Sequence, residues 1–319
     1  MTGPVRLGII GAGRILKRFL PGAERSSAID VVAIASRDAE RASAIAGTYG
    51  IPKTHLSYDE LLADPSLDAV YIAIPNSLHH AWTMRALAAG KHVLCEKPYS
   101  TIAAEVDQAH DLAEASGLVL TEGFMWRHGP HATSFVQELP RIGEVRTIRS
   151  TFTFVIGSDD DIRLNRELAG GSLMDVGTYC VSASRLLVGR EPIAALGVAW
   201  PAASGVDERF SGILDFGDGV TATLTSGFRT EHSSIEAIGS DGSLRLDDPF
   251  AGRATKLVGW DGFELAIPQV DPYELELDDF AAAIRGEHPV RLGRADMLGQ
   301  ARALAALYES AATGRRVTV

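Results

Sequence analysis

The chain has 319 residues, of which 46% are hydrophobic and 22% are charged, and its formal net charge is −11. This length exceeds the size at which a single hydrophobic core stops growing, so two domains are expected. The acidic balance argues against a general nucleic-acid or anionic-membrane surface. No apolar run approaches the roughly 18 residues that a membrane span needs. We expect no signal peptide, because the first strand begins almost at once.

The cysteine and histidine pattern predicts no metal site. Cys95 and Cys180 lie in apolar contexts and form no CxxC pair, so neither a disulfide framework nor a zinc site is expected. His79 and His80 are adjacent, and adjacent residues of a helix point to different faces. They also have no third ligand at a suitable spacing. A reducing, cytoplasmic location fits this cysteine usage.

The first strand leads into a glycine turn. Residues 5–10 (VRLGII) form a short β-rich run, and Gly11-Ala12-Gly13 follows directly. Before a helix, such glycines let the backbone approach a dinucleotide pyrophosphate, and the helix N-terminus supplies N–H donors. The full fingerprint has Gly or Ala where this chain has Leu16. The residues predicted to line the cofactor here are Gly8, Gly11, Ala12, Gly13, Arg14 and Ile15.

The end of the second strand, residues 30–35, indicates which dinucleotide is bound. An NAD site usually carries an acidic residue here, for the ribose 2′-hydroxyl, but this chain has Ser36 and Arg37, with Arg41 one turn later. A carboxylate facing a 2′-phosphate is repelled by about 4 kcal/mol per unit charge at about 4 Å and a dielectric of about 20. A hydroxyl and guanidinium groups suit phosphate instead, which predicts NADP. The alternative is a surface arginine on a helix capped by Asp38.

Strands and helices alternate up to about residue 121. Ser57-x-x-Glu60 predicts a capping box, and the apolar run at 68–74 is typical of a buried parallel strand. Residues 91–98 (KHVLCEKP) form a strand that ends in a charge pair, either at the ligand-binding edge of the sheet or in a solvated turn. Further elements are expected as helices over 79–89 and 101–116 and a strand over 118–121. This alternation predicts a doubly wound parallel sheet.

From about residue 122 the pattern changes to Thr/Val/Phe-rich runs separated by glycine turns. A largely antiparallel sheet is predicted by runs at 144–155, 212–228, 234–247 and 255–267, with Asp-Gly turns at 241–242 and 261–262. Amphipathic helices follow over 275–284 and 294–312. We predict a Rossmann domain over 1–122 and a second α/β domain over 123–319, with the C-terminal helix packing back.

One predicted helix carries two candidate catalytic groups. Residues 170–180 contain Asp175 and Tyr179 four positions apart, which places them on one helix face. Asp175 has an alternative role in a capping box with Ser172, and Tyr179 has one as a half-buried core residue. Gly177 inside a helix costs about 1 kcal/mol relative to alanine. We therefore expect something to approach that face closely.

Four stretches together resemble the Gfo/Idh/MocA oxidoreductase family over effectively the whole chain. They are residues 8–13 (GIIGAG), 73–79 (AIPNSLH), 89–98 (AGKHVLCEKP) and 170–179 (GGSLMDVGTY). The resemblance implies a Rossmann domain, then an α/β domain with a large, mostly antiparallel open sheet whose exposed face mediates dimerisation. It also implies a homodimer or homotetramer, a catalytic Lys97, a cis Lys97–Pro98 bond and a substrate crevice between the domains.

Many family members carry histidine at the position of Tyr179. Tyrosine there, with Ser36-Arg37, resembles the branch that holds dihydrodiol dehydrogenases, glucose–fructose oxidoreductases, NADP-dependent aldose dehydrogenases and sugar 3-ketoreductases. Residues 122–127 (EGFMWR) resemble that branch too, but its usual histidine two positions later is Gly129, with His128 and His131 around it. The resemblance extends the predicted cofactor contacts to Ile74, Pro75, Asn76, His79, Glu96, Lys97, Pro98 and Arg127.

These residues predict hydride transfer between nicotinamide C4 and a hydroxyl or carbonyl carbon of a sugar, polyol or cyclic diol. Tyr179 is expected to move the proton, because a nearby ammonium favours the phenolate form of a tyrosine. Lys97 polarises the substrate oxygen, and Asp175 orients a neighbouring hydroxyl. Arg163 and Asn165 are further pocket candidates. The alternatives are a non-catalytic NADP-binding regulator and an enzyme that recycles a tightly bound cofactor.

Overall fold

The computed structural model of the protein describes residues 3–319. The chain forms two compact units, the first from residues up to His128 together with Asp271–Leu298, the second from Gly129–Val270 together with Gly299–Val319. The helices are α1 (Leu16–Arg25), α2 (Ala39–Tyr49), α3 (Tyr58–Leu62), α4 (His79–Ala88), α5 (Ala103–Ala115), α6 (Pro130–Glu138), α7 (Thr178–Val188), α8 (Pro272–Ile284) and α9 (Arg294–Thr313). The strands are β1 (Val5–Ile10), β2 (Ile29–Ala35), β3 (Lys53–His55), β4 (Ala69–Ile72), β5 (His92–Glu96), β6 (Leu120–Gly123), β7 (Val145–Thr153), β8 (Ala194–Pro201), β9 (Asp207–Asp215), β10 (Thr221–Gly227), β11 (His232–Gly239), β12 (Ser243–Asp247), β13 (Lys256–Gly259), β14 (Glu264–Ala266) and β15 (Val317–Thr318).

The first unit is built on a six-stranded parallel sheet with the order β3-β2-β1-β4-β5-β6. β1 pairs with both β2 and β4, so the strand order reverses at β1, where α/β proteins bind ligands. Every residue of β4 is buried, because helices cover both faces of a parallel sheet. The predicted doubly wound parallel sheet is confirmed.

In the first half of the chain, the capping signal predicted from the sequence is present at the start of α3. The Ser57 hydroxyl accepts a hydrogen bond from the Glu60 N–H (3.1 Å), and the Glu60 carboxylate accepts one from the Leu56 N–H (3.0 Å). The predicted capping box at the start of α3 is therefore confirmed. The short edge strand β3 has no counterpart among the predicted strands, because its three residues carry no apolar period.

Helix α8 belongs to the first unit, although the predicted division assigned everything after residue 122 to the second. Its Tyr273 ring meets the Phe19 ring of α1 edge-on, with 6.2 Å between the ring centroids. Gly22 of α1 leaves room for the Tyr273 side chain, which packs directly over it. The sequence pattern of an amphipathic helix shows that one face is buried, but it does not show which element covers that face. The assignment of α8 to the first unit could not be predicted, because its partner α1 lies about 250 residues earlier in the chain.

The second unit contains a nine-stranded sheet with the order β14-β13-β12-β11-β7-β10-β9-β8-β15. β7 and β10 run parallel, and the other neighbouring pairs are antiparallel. The expected mostly antiparallel open sheet is therefore confirmed. The run predicted at 212–228 is the hairpin of β9 and β10, and the run at 234–247 is the hairpin of β11 and β12. Helix α7 packs against β7 and β10 on one face of this sheet.

The opposite face of this sheet exposes large apolar side chains near one edge. Leu196, Val198 and Trp200 alternate along β8 and are 41–54% exposed, and Ile213 of the neighbouring strand is 42% exposed. Ile213 pairs with Leu196 across the two strands, so the four side chains form one patch. We call this group the β8–β9 patch.

Within residues 3–319 we find no helix long and apolar enough to cross a bilayer. The histidine, cysteine and acidic side chains of the same range form no group of three or more that could hold a metal ion. Both cysteines are free and buried.

Candidate active site

The turn after β1 has the backbone geometry of a phosphate-binding loop. Gly11 has a φ of +108°, and a Cβ there would collide with the carbonyl of Ala73 at the end of β4. Only glycine fits this position without strain. Helix α1 begins at Leu16, a buried core residue, so its N-terminal donors lie directly after the turn. Gly8 lies inside β1, packed against Leu61 and Leu67.

The end of β2 presents the groups predicted to hold a 2′-phosphate. Ser36 is buried, and its hydroxyl accepts a hydrogen bond from the Asp38 N–H (3.1 Å). Asp38 in turn caps α2, because its carboxylate accepts the Arg41 N–H (3.0 Å). Burial raises the pKa of Tyr58 above its ordinary value, and the charge of Arg37 and its hydrogen bond oppose that rise. Arg37 is exposed and interacts with Tyr58, and the carboxylate that follows it in the chain, Asp38, is used as a helix cap.

His79 links the segments that follow β4 and β5. Its two ring nitrogens lie 2.9 Å from the carbonyl oxygens of Ile74 and Pro98. The residue is 1% exposed, and burial lowers its pKa. Its partners are both predicted cofactor contacts, so His79 is placed to hold their backbone. The Lys97–Pro98 bond is cis, as expected.

Lys97 follows β5 directly and is half-buried. The preceding residue, Glu96, accepts a hydrogen bond from the hydroxyl of Tyr71. Tyr71 is fully buried and stacks on Phe19, with ring centroids 3.8 Å apart. Burial raises the pKa of Tyr71 well above its usual range, and the Glu96 charge adds to the rise. The residue before Lys97 is thus held by a phenol that remains a hydrogen-bond donor.

A second carboxyl, Glu276 of α8, is enclosed near Glu96. Glu276 is 2% exposed. Burial raises its pKa well above the usual range, and the charges of Glu96 and Asp279 add to that rise against an opposing hydrogen bond from the Phe124 backbone. The folded chain therefore binds a proton at Glu276 more tightly than the unfolded chain does.

We expect Glu276→Gln to stabilise the protein at alkaline pH. Because the folded-state pKa lies above the unfolded value near 4.5, stability is greatest below about pH 4.5 and falls as pH rises through the folded pKa. The variant loses this dependence, so its melting temperature exceeds that of the native protein by at least about 2 °C at pH 8, and the gap closes near pH 5. Thermal unfolding against pH measures it. Glu274→Gln, on the same helix but half-exposed, is the control, and a gap independent of pH would contradict the expectation.

In the second unit the predicted helix over 170–180 begins with an irregular turn. Residues Leu173–Gly177 form a π-helical turn, and α7 continues from Thr178. Such turns occur frequently at functional sites. Gly171 before it has a φ of +122°, and a Cβ there would overlap the Asp207 carboxylate, so glycine is required. No sequence period indicates a π-helical turn, which is why the prediction was of a plain helix.

Asp207 of β9 holds this π-helical turn through direct hydrogen bonds. Its carboxylate accepts hydrogen bonds from the Ser172 hydroxyl (2.8 Å), the Leu173 N–H (2.7 Å) and the Tyr308 hydroxyl of α9 (2.9 Å). Burial raises the pKa of Asp207, and these donors oppose the rise. The capping box considered for Ser172 and Asp175 does not form, because Ser172 donates to Asp207 instead.

Asp175 pairs with Arg163. The Arg163 Nε donates to the Asp175 carboxylate over 2.6 Å, and the same guanidinium donates to Asp161 through Nη1 over 3.2 Å. Arg163 was only a general pocket candidate in the sequence, and neither Asp161 nor Asp207 was predicted. The other pocket candidate, Asn165, is exposed and accepts the Glu167 N–H (2.8 Å).

Tyr179 lies in the first turn of α7 and is 8% exposed. Its ring packs against the Phe152 and Phe250 rings, with both centroid distances at 5.5 Å. The close approach expected at Gly177 is made by the Ser226 side chain of β10, because a Cβ at Gly177 would lie 3.0 Å from its Oγ. The glycine thus brings the helix against the sheet.

Arg127, a predicted cofactor contact, lies beside an acidic side chain of the same unit. The Arg127 guanidinium faces the Asp296 carboxylate at 3.4 Å, so its predicted contact with the cofactor stays a prediction. His128 is buried, and burial lowers its pKa to about 3, with a further contribution from two arginine charges. His131 bonds to the Ala254 carbonyl over 2.9 Å. Both imidazole rings are buried.

Two family models match the chain. The GFO/IDH/MocA oxidoreductase family with an NAD-binding Rossmann fold matches residues 5–124, and the GFO/IDH/MocA C-terminal domain matches residues 136–245. Together with the fold, these matches define a Rossmann-type oxidoreductase of the dehydrogenase and reductase class. The chain belongs to the GFO/IDH/MocA family, as the sequence motifs indicate.

Individual relatives resemble the chain over nearly its whole length. It is 39% identical over 321 residues to the D-xylose 1-dehydrogenase (NADP(+)) 2 of Haloferax volcanii, covering 97% of this chain and 98% of that protein. An aldose–aldose oxidoreductase from Caulobacter crescentus, complexed with glycerol, has a TM-score of 0.91 at 28% identity, covering 99% and 100% of the two chains. A 3-ketoreductase from Actinomadura kijaniata, in complex with NADP and TDP-benzene, has a TM-score of 0.91 at 33% identity, covering 97% and 98%.

Proposed function

We propose that this protein is an NADP-dependent oxidoreductase that acts on a hydroxyl or carbonyl carbon of a sugar, polyol or cyclic diol. The observation that supports the proposal is the position of each of the two candidate catalytic groups in the fold. Lys97 follows β5 at the ligand-binding edge of the Rossmann sheet, and Tyr179 stands in the first turn of α7 next to the anchored π-helical turn. The relatives that are full-length matches act in this chemical class by name.

The residues of the first unit fit an NADP molecule. The turn at Gly11 excludes a side chain where a pyrophosphate would approach. Ser36 and Arg37 supply a hydroxyl and a guanidinium to a 2′-phosphate, with Arg41 nearby on α2, and Asp38 is engaged as a cap. Bound NADP supplies or accepts the hydride. The remaining cofactor contacts are proposed for Gly13, Arg14, Ile15, Ile74, Pro75, Asn76 and Pro98.

The protein itself moves one proton and orients the substrate. Tyr179 is the proton donor in reduction and the acceptor in oxidation at its phenolic oxygen. Lys97 polarises the substrate oxygen with its ammonium and favours the phenolate form of Tyr179. Asp175 accepts a hydrogen bond from a hydroxyl next to the reacting carbon. Each role rests on the family motif that the residue occupies.

A substrate panel tests the proposal. Purified protein is assayed with NADP+ or NADPH and with D-xylose, other aldoses, inositols, a cyclic diol and a nucleotide sugar. With at least one of these compounds, we expect NADPH to be formed or consumed faster than in the same mixture without the protein. The absence of turnover across the panel would support a non-catalytic NADP-binding regulator instead. A nicotinamide that co-purifies and resists exchange would support internal recycling.

We expect Arg37→Ala to weaken NADP+ binding at least about tenfold and to leave NAD+ binding within about twofold. The reason is that a hydrogen bond to a charged group contributes about 1.5–3 kcal/mol, and only NADP carries the 2′-phosphate. Fluorescence titration of both dinucleotides measures the change. The control is Arg245→Ala, an exposed arginine on β12 that pairs with Asp247. An unchanged preference would remove the 2′-phosphate assignment.

The β8–β9 patch supports assembly of the protein as a homodimer or homotetramer through the open sheet. Its four large apolar side chains share one face and are 41–54% exposed. Contiguous exposed apolar surface of this kind marks association sites in soluble proteins. Sedimentation velocity tests the proposal, and a monomer at micromolar concentration would contradict it.

The cytoplasm is the location that the cysteines favour. Cys95 and Cys180 are both free and buried. Free buried thiols are typical of reducing compartments. Fractionation of the source cells would test the location.

A further inference from the structure

The Arg163 guanidinium lies between two carboxylates of the second unit. Its Nε donates to Asp175 over 2.6 Å, and its Nη1 donates to the two Asp161 oxygens over 3.2 and 3.4 Å. The Asp161 side chain is 4% exposed, the Asp175 side chain 17% and the Arg163 side chain 32%. The contact between Arg163 and Asp175 is therefore partly shielded from water, where charge-assisted hydrogen bonds are strong and well oriented.

The backbone of Arg163 is tied to the same turn that carries Asp175. The Arg163 carbonyl accepts the Gly171 N–H over 2.8 Å, and a Cβ at Gly170 would overlap that carbonyl. The Asp161 carboxylate also accepts the Arg163 N–H over 3.1 Å. The glycine pair of the second family motif thus allows Arg163 to approach the turn closely. Both the main chain and the side chain of Arg163 are fixed relative to Asp175.

The Arg163 side chain holds one oxygen of the Asp175 carboxylate. Its Nε–H donates to that oxygen over 2.6 Å, and such a charge-assisted hydrogen bond is short and strong. Arg163 itself stays charged, because the neighbouring charges of Asp175 and Asp161 raise its pKa further against desolvation. It also lies over the Phe154 ring, with its Cζ 5.4 Å from the ring centroid. The pair is therefore oriented before a substrate binds, which lowers the cost of ordering it.

We propose that Arg163 is a positioning residue, which holds Asp175 in the orientation that receives the hydroxyl next to the reacting carbon of an uncharged polyhydroxy substrate. This proposal rests on the proposed function, because it assigns the orientation of a group in the same site. Arg163 acts through Asp175 and does not contact the reacting atoms. The combined charge of Arg163, Asp161 and Asp175 is negative, which favours a neutral hydroxylated ligand over an anionic one at this position.

A double-mutant cycle with two substrates tests the proposal. The variants are Arg163→Gln, Asp175→Asn and the combination, and the control is Arg166→Gln, an exposed arginine three residues further along. The substrates are D-xylose and its 2-deoxy analogue. If the panel selects another substrate, that compound and its analogue without the adjacent hydroxyl are used. NADPH affinity is measured in parallel and is expected to stay within about twofold.

We expect Arg163→Gln to lower kcat/KM at least about thirtyfold for the parent substrate and less than about threefold for the deoxy analogue. In the Asp175→Asn background the same change should cost less than about threefold, because Arg163 acts through the missing carboxylate. Equal losses for both substrates, or losses that multiply in the double variant, would overturn the proposal. A general structural defect makes the losses multiply in the double variant. The cycle therefore separates a positioning role of Arg163 from a structural one.

A measurement without turnover keeps the proposal testable if the wild-type protein shows no activity or if Arg163→Gln does not fold. In 15N-labelled protein the Arg163 Nε–H resonance should be distinct and protected from exchange, and Asp175→Asn should move it and remove the protection. Arg163→Lys removes the guanidinium and therefore identifies which resonance belongs to Arg163. An Nε–H signal unaffected by Asp175→Asn would overturn the positioning role. Inactivity of the wild-type protein across the panel would instead overturn the proposed function alone.

Discussion

Replacement of Tyr179 with phenylalanine is expected to lower kcat at least about a hundredfold while the affinity for NADPH stays within about twofold. A positioned acid or base contributes about 10²–10⁴-fold to a reaction of this type, and the phenolic hydroxyl is the group assigned to proton transfer. Transient kinetics with NADPH monitored by its fluorescence separates the hydride-transfer step from product release. The loss should fall on that step.

Phenylalanine isolates the hydroxyl from the packing role of the ring. The Tyr179 ring contacts Phe152 and Phe250, and the residue is only 8% exposed, so the aromatic contacts survive the change. The stability of the variant should therefore remain close to that of the native protein. A large loss of stability would show that the hydroxyl belongs to the structural core, which was the alternative interpretation of this residue.

The control is Tyr49→Phe on α2, where the tyrosine is half-buried and no catalytic motif of the sequence is present. It should change kcat less than about twofold. Unchanged turnover in Tyr179→Phe would end the assignment of the proton-transfer group. A loss that appears only in KM would move Tyr179 from proton transfer to substrate binding.

The first unit follows from local patterns to a large extent. Apart from β3, the strands there are predicted from apolar runs. Gly11 follows β1 directly and β5 ends at Glu96, and such signals act within a few residues. The capping box at Ser57 and the turn at Gly11 are local in this sense, and both are present as expected. The family motifs add the functional meaning of the strand ends, which local patterns alone leave between a ligand site and a solvated turn.

The second unit shows where sequence patterns fail. Ser172 and Asp175 have capping-box spacing, but their partners are Asp207 and Arg163, which lie 35 positions after Ser172 and 12 positions before Asp175. Spacing alone cannot rank a local partner against a distant one, because the outcome depends on which group the folded sheet brings closer. A π-helical turn depends on the same long-range anchoring.

Buried ionisable groups are equally hard to identify from the sequence. Glu276 lies in a helix with several acidic residues, and only the packing of α8 in the first unit distinguishes the enclosed one from its half-buried neighbours. The same holds for His128, which was considered near the active site and is enclosed with a strongly lowered pKa. Hydrophobic period predicts which face of a helix is buried. It does not predict which charged residue is enclosed with that face.

Lys97→Met is expected to lower kcat at least about a hundredfold, with NADPH affinity within about fivefold. Methionine retains the apolar stem of the half-buried lysine and removes the ammonium. The backbone at this position is held independently, because His79 bonds to the Pro98 carbonyl and Tyr71 to the Glu96 carboxylate. A loss of activity is therefore attributable to the charge itself.

The pH dependence of the residual activity separates the two roles assigned to Lys97. If its ammonium favours the phenolate form of Tyr179, its removal moves the rising limb of kcat in the oxidation direction to higher pH. If Lys97 only polarises the substrate oxygen, kcat falls without a shift of that limb. Lys256→Met, which changes an exposed side chain of β13, is the control for loss of a surface charge.

Combining Lys97→Met with Tyr179→Phe tests whether the two residues act as one unit. Groups that share a step are strongly non-additive, so the double variant should be little slower than the slower single variant. Losses that multiply would mean that the lysine and the tyrosine act in separate steps, and the coupling between an ammonium and a phenol would have to be given up. Normal turnover in Lys97→Met would remove the residue from the mechanism altogether. The other lysine of the 89–98 motif, Lys91, is buried before β5 and donates to the carbonyls of Asp64 and Leu67.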